Sequence, residues 1–205
     1  MYKIGVIMPS KGTQTRQSII EKSLQLFSVK GYFNTSISDI IEATHLTKGG
    51  LYGHFRSKED IWYAVYEEAV MIWKNIVFKD MRAVSGPIER IEKTIENDLK
   101  DYLGADVFDG GCFFLNSLVE LSGQSGTMGR HILRGFVRFS RLFRSWLKEA
   151  DQKGMLKHGL NFKEISNFIV ISLNGAAALY SASRDPMIWK FTITQLRFYI
   201  NQLKK

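Results

Sequence analysis

Between Thr47 and Lys58 the chain reads TKGGLYGHFRSK, a run of residue types suited to lie against a polyanion. Thr47 can cap a helix, and Lys48 behind it can reach a guanine edge or a phosphate. Tyr52 and His54 can each donate to a phosphate oxygen, and Lys58 can pair with one. Gly49 and Gly50 each cost a helix roughly 1 kcal/mol. A short helix that keeps both has reason to let another backbone come close. Upstream, Thr35 and Ser36 open a further helix and offer a second set of amides to a sugar–phosphate chain. Thr47 and Tyr52 can also touch bases through methyl and ring contacts. So few base-reading side chains imply that specificity rests partly on DNA shape.

Other residue sets offer less. Cys112 follows Gly110-Gly111 at an expected helix start, where a thiol's pKa can fall and make it a sensor. A lone cysteine also serves as a small buried apolar residue. Arg130, Arg134, Arg138, Arg141 and Arg144 recur at spacings of four and three, so they form one helical stripe. That stripe suits a solvated face, or a site for a carboxylate, a phosphate or an acidic partner. His131 and His158 have no partners at metal spacing, so no metal site and no cofactor are expected. No nucleophile–base pair, phosphate loop or metal cluster supports catalysis. No catalytic residue is assigned and an enzyme is not expected.

These groups must be positioned by helices. The 205 residues hold only three prolines (Pro9, Pro87, Pro186), each where a helix can begin, and no period-2 run long enough for a sheet. The reading is all-α. Residues 1–12 lack periodicity and are expected to form a mobile arm. Helix starts fall at Thr13, at Ser36 with Asp39, at Thr47, and at Ser57 with Asp60. Thr44-His45-Leu46 makes the corner between the second and third helices. The fourth helix is expected to run to about Met81, and a fifth from Pro87 through Tyr102. Further helices cover Phe113–Leu121, about Met128–Lys153, Asn161 to about Ala182, and Pro186 to about Leu203.

Formal net charge is +8 with a pI near 9.5, which favours nucleic acid or an acidic membrane surface as partner. Residues 11–60 carry only seven basic against five acidic side chains, whereas residues 124–160 carry eight against two. The excess therefore lies outside the TKGGLYGHF segment, and the pI is poor evidence for DNA binding. One cysteine allows no internal disulfide, which fits a reducing cytoplasm. The apolar run near the N-terminus is too short for a secretory signal core. Phe168–Tyr180 is too short and too broken to span a bilayer, so no membrane association is expected.

With those helices placed, residues 15–62 resemble the DNA-binding region of the tetracycline-repressor (TetR) family of bacterial transcription regulators. The matching pieces are Leu26-Phe27, Gly31, Thr35-Ser36, Asp39-Ile40, Thr47-Lys48-Gly49, Leu51-Tyr52, His54-Phe55 and Ser57-Lys58-Glu59. Two positions depart from the pattern. Ile41 stands where members commonly have a small residue, and His45 where they have glycine. The resemblance implies a helix-turn-helix head of three helices (13–60) and a six-helix ligand-binding and dimerisation body (61–205). It implies a repressor held as a homodimer on a palindromic double-stranded operator. A small apolar or amphipathic effector would release it by moving the fourth helix.

In the body, two regions carry those expectations. The eighth helix is apolar on two sides and so needs partners on both. Ile169, Leu173, Ala176, Ala177 and Tyr180, with Phe191, Leu196 and Tyr199 of the ninth, are the expected dimer seam. Large aromatics crowd the fourth to seventh helices, and Trp73, Tyr102, Phe113, Asn116, Phe139, Phe143 and Trp146 are the expected effector contacts. Two alternatives stay open. One is a thiol-based repressor acting through Cys112. The other is a helical small-molecule-binding or interaction protein without DNA binding.

Overall fold

The computed structural model describes residues 10–205. Residues 1–9 of the expected arm lie outside the described part, and Ser10–Gly12 belong to the first helix and its cap. Ser10 Oγ accepts from Thr13 N at 3.2 Å, so α1 starts at Lys11 rather than Thr13. Among the described residues there are nine α-helices: α1 Lys11–Lys30, α2 Ile37–Thr44, α3 Lys48–Tyr52, α4 Lys58–Val77, α5 Pro87–Glu96, α6 Phe113–Leu121, α7 Gly126–Gln152, α8 Phe162–Ser183 and α9 Pro186–Leu203. The chain divides into two compact units between Val70 and Met71, within α4.

In the first unit, Ile19, Ile20, Leu24 and Phe27 of α1 are buried together with Ile40, Leu51 and Phe55. Five of these are β-branched or aromatic side chains, which are stiff and fix the small core with little freedom left. Arg16 lays its guanidinium over the Phe55 ring at 4.7 Å. The α2–α3 corner is made by His45 at φ 54°, ψ 30°, in the left-handed region. Histidine adopts it at a cost of about 1 kcal/mol that glycine would not incur.

In the second unit, α7 packs against α5, α6 and α8, and α9 packs against α8 and α5. Arg90 of α5 clasps Glu149 of α7 with two hydrogen bonds, at 2.9 and 3.2 Å. Arg197 reaches Glu96 at 2.7 Å and ties α9 to α5. The C-terminus is pinned as well: Lys157 N donates to Leu203 O and Lys205 N to Met155 O.

Two expected boundaries differ. α4 ends at Val77 rather than near Met81. Asn97 Nδ2 donates to Val77 O at 3.0 Å and to Lys79 O at 3.5 Å, satisfying carbonyls released by the ending helix. The helix expected to continue from Pro87 through Tyr102 changes pitch at Asn97. Residues Asn97–Leu103 form a π-helical segment, closed by Gly104 N donating to Leu99 O at 2.9 Å. Such wide turns tend to mark functional places in helices.

Candidate functional site

The head presents a short exposed helix, and its own caps absorb much of its polar chemistry. Thr47 Oγ1 accepts from Gly50 N at 3.1 Å and starts α3. Leu51 is fully buried beneath it and holds it in place. Thr47, Lys48, Gly49 and Tyr52 remain exposed, with His54 half-buried. The two glycines are not equivalent. A Cβ on Gly50 would meet Thr47 Oγ1 at 3.3 Å, so this residue has an internal reason to be small. A Cβ on Gly49 would meet nothing within 4 Å. Nothing inside the described protomer requires glycine at position 49.

The α2 start is a complete capping box. Ser36 Oγ accepts from Asp39 N at 3.0 Å and donates to Asp39 Oδ2 at 2.6 Å, and Ser36 N donates to the same carboxylate at 2.7 Å. Lys30 completes the group at 2.9 Å from Asp39 Oδ1. The Ser36 hydroxyl, followed by Lys30, holds the Asp39 carboxyl well below the usual carboxylate range.

Three of the expected nucleic-acid contacts are placed differently. Thr35 is fully buried, and its hydroxyl donates to Gly31 O at 2.7 Å, so its side chain closes the α1–α2 turn. Ser36 is exposed, but the capping box spends its hydroxyl. Lys58 donates to Tyr32 O at 2.8 Å and to Thr35 O at 2.9 Å, and it lies 4.2 Å over the Tyr32 ring. Its ammonium therefore ties the first turn of α4 to the α1–α2 turn. A lysine reads the same in sequence whether it faces phosphate or its own backbone, and only the tertiary fold separates the two.

Most of the residues expected at the dimer seam are buried within their own protomer. Ile169, Leu173, Ala176, Ala177, Tyr180 and Leu196 all belong to the core of the second unit. The apolar residues left exposed lie on the opposite side of the same helices. They are Phe168, Ile171 and Leu179 on α8, with Met187, Phe191 and Phe198 on α9. Ile171 is 67% exposed and Phe198 61%, values unusual for such side chains on a finished surface. Phe168 meets Tyr199 at 5.0 Å between ring centroids, which joins the two stripes into one face. Phe191 and Tyr199 thus remain from the expected set. α8 is long and apolar enough by composition to cross a membrane, but its other side packs on α7 and α9.

The expected effector residues separate in the same way. Tyr102, Phe113, Phe143 and Trp146 are close-packed, and Asn116 is exposed, with its amide donating to Gly110 O at 2.8 Å. Trp73 and Phe139 are half-buried and meet edge-on at 4.9 Å. The sequence reading missed Asp98, whose carboxylate accepts from Trp73 Nε1 at 2.7 Å. A signal was present: Asp98 falls on the apolar stripe of Ile91, Ile95 and Tyr102, at spacings of four, three and four.

Cys112 is buried, and its thiol takes a hydrogen bond from Tyr102 Oη at 3.7 Å. Burial pushes its pKa up to about 11 rather than down. A thiol so held stays protonated near neutrality and is a poor nucleophile, so the lowered pKa expected of a helix start is corrected. Arg130, Arg134, Arg138 and Arg141 are exposed along α7, as a solvated face would be.

An exposed short helix seated by a helix-turn-helix on a buried apolar core defines a sequence-reading DNA-binding protein. Comparison with known proteins agrees along both units. Residues 19–65 match the family described as bacterial regulatory proteins, tetR family, and residues 87–196 match the tetracyclin repressor-like C-terminal domain. The HTH-type transcriptional repressor DhaR of Mycobacterium sp. (strain GP1) is 30% identical over 177 residues, covering 84% of this chain and 85% of that one. The repressor ComR of Escherichia coli (strain K12) is 25% identical, covering 78% and 76%. A TetR transcriptional regulator from Chloroflexus aurantiacus superposes with a TM-score of 0.88 at 24% identity, over 95% of this chain and 98% of that one, and shares the fold. The chain belongs to the TetR family of bacterial regulatory proteins and carries its helix-turn-helix DNA-binding unit.

Proposed function

We propose that this regulator is a repressor that acts as a homodimer on a palindromic operator in the bacterial cytoplasm, released by a small effector bound in the second unit. One observation carries the DNA side of that reading. Gly49 is exposed and helical, and a Cβ there would meet nothing within 4 Å among the described residues, on a helix whose Lys48 and Tyr52 are also exposed. Omitting a Cβ there costs stability and returns nothing within the protomer, which fits the approach of a DNA backbone. Lys48 is the candidate base and phosphate contact, with Tyr52, His54 and the amides at the Thr47 end of α3 alongside it.

The dimer reading rests on the exposed α8–α9 face, centred on Phe168, Ile171, Leu179, Phe191 and Phe198. Two helices from each copy would bury it as a four-helix seam. The effector reading rests on Trp73, which belongs to α4. That helix begins at Lys58, which is tied to the head through Tyr32 and Thr35. A ligand that shifts α4 reaches the head without a separate relay. Reducing operator occupancy a hundredfold requires about 2.7 kcal/mol of preference for the released state.

Electrophoretic shifts of DNA flanking the protein's own gene, at stated salt, test the reading. A discrete complex that competes away with specific DNA but not with bulk DNA is expected. Binding no tighter to that DNA than to bulk DNA, across the flanking region, would contradict it.

A further inference from the structure

Asp98 lies within the second unit and has no counter-charge among the described residues. Its carboxylate takes one hydrogen bond from the Trp73 indole, and among the described residues no ion pair includes it. Burial pushes its pKa up to about 6, with the indole bond acting in the opposite direction. The group is still mostly ionised at pH 7.5. A desolvated carboxylate without a cation is costly, and buried charges are otherwise paired.

The surroundings of this acid are aromatic. Phe139 meets Trp73 edge-on at 4.9 Å, and Phe114 meets it at 6.2 Å. Tyr102 lies 6.4 Å from Phe114. Within this group Tyr102 is close-packed, whereas Trp73, Asp98, Phe114 and Phe139 all keep partial exposure. The accessible part of the aromatic cluster is therefore the part that carries the acid.

We propose that Asp98 and the rings of Trp73, Phe114 and Phe139 form a site for an organic cation, an aromatic or short apolar body bearing a quaternary or protonated amine. The carboxylate supplies the opposite charge and the ring faces attract the same positive group. An anion would be repelled by both. Calling this cation the effector rests on the regulator reading; the site itself does not.

The test uses the full-length dimer and two probes of nearly equal shape, benzyltrimethylammonium and its uncharged carbon isostere neopentylbenzene. Binding is read from tryptophan fluorescence at pH 7.5 and low salt. The cation should bind at least ten times more tightly than the isostere. Asp98→Asn, which keeps an acceptor for Trp73, should weaken the cation roughly 10- to 100-fold and leave the isostere unchanged. Equal binding of the two probes to the unaltered protein, no saturable binding of the cation, or an Asp98→Asn variant that retains cation affinity would each overturn the proposal. Operator binding measured on the same samples separates the two readings. A protein that binds operator but no cation keeps its regulatory role and loses this site. A protein that binds the cation with no change in operator affinity keeps the site and loses the effector assignment.

Discussion

The head and the body use their polar residues in opposite ways. In the head, Ser36, Asp39, Thr47 and Lys58 are spent on caps and turns, and the surface left over is the part we propose to meet DNA. In the body, one largely desolvated carboxylate has no ion-pair partner among the described residues, and one apolar face is left uncovered. The head is finished as a protomer and waits for a polyanion. On the readings proposed above, the body is unfinished on two counts, one met by a second copy and one by a small cation. Stability and function are therefore coupled differently in the two units.

The largest expected effect breaks the body. Ile171→Asp puts a charge on the exposed α8–α9 face, where the isolated protomer tolerates it and a dimer does not. Sedimentation should show a monomer with an unchanged far-ultraviolet spectrum, and operator affinity should fall by a factor of a hundred or more, since one head holds one half-site. A dimer that survives the change would move the seam elsewhere.

Lys48 and Lys58 sharpen the contrast within the head. Lys48→Ala should leave the melting temperature alone and weaken operator binding. Lys58→Met should cost about 2 kcal/mol of stability, because two backbone carbonyls lose a charged donor. Calorimetry together with operator titration distinguishes the two lysines.

Asp98 links the body's stability to pH. Its folded pKa, about 6, lies above the ordinary carboxylate value of 3.8, so the folded state binds this proton more tightly than the unfolded chain does. The resulting stability is complete below about pH 4 and is lost as the pH rises through 6, amounting to as much as ~3 kcal/mol. Asp98→Asn should therefore melt higher than the unaltered protein at pH 7.5 without ligand, with the gap closing toward pH 4. A gap that is constant with pH would show that the carboxyl titrates normally.

The smallest effects concern backbone and thiol. His45→Gly should stabilise the head by about 0.5 to 1 kcal/mol by relieving the left-handed corner. Cys112→Ser should leave the effector response intact, since the buried thiol does not ionise near neutrality.

What could be read from the sequence follows the range of the interactions. Caps at Ser36, Thr47, Asn161 and Asp185 are local, and each helix begins where its cap predicts. The all-α class followed from periodicity, and the head from a contiguous string. What failed was long-range. Lys58 meets carbonyls on an earlier turn. The two apolar sides of α8 look alike until α7 covers one of them. Asn97, where the pitch changes, donates its amide to the Val77 carbonyl 20 residues earlier, a partner no local pattern shows. The place of Asp98 on an apolar stripe was legible locally, but its indole partner was not, because Trp73 lies 25 residues earlier.

The central claim is that α3 is shaped for a duplex and not for its own fold, and Gly49→Ala tests it most directly. Calorimetry and fluorescence anisotropy on an operator fragment, at one salt concentration, measure both consequences in the same preparation. The account predicts a protein more stable by about 0.5 to 1 kcal/mol that binds its operator at least tenfold more weakly. A variant that is stabilised and binds with undiminished affinity would contradict it.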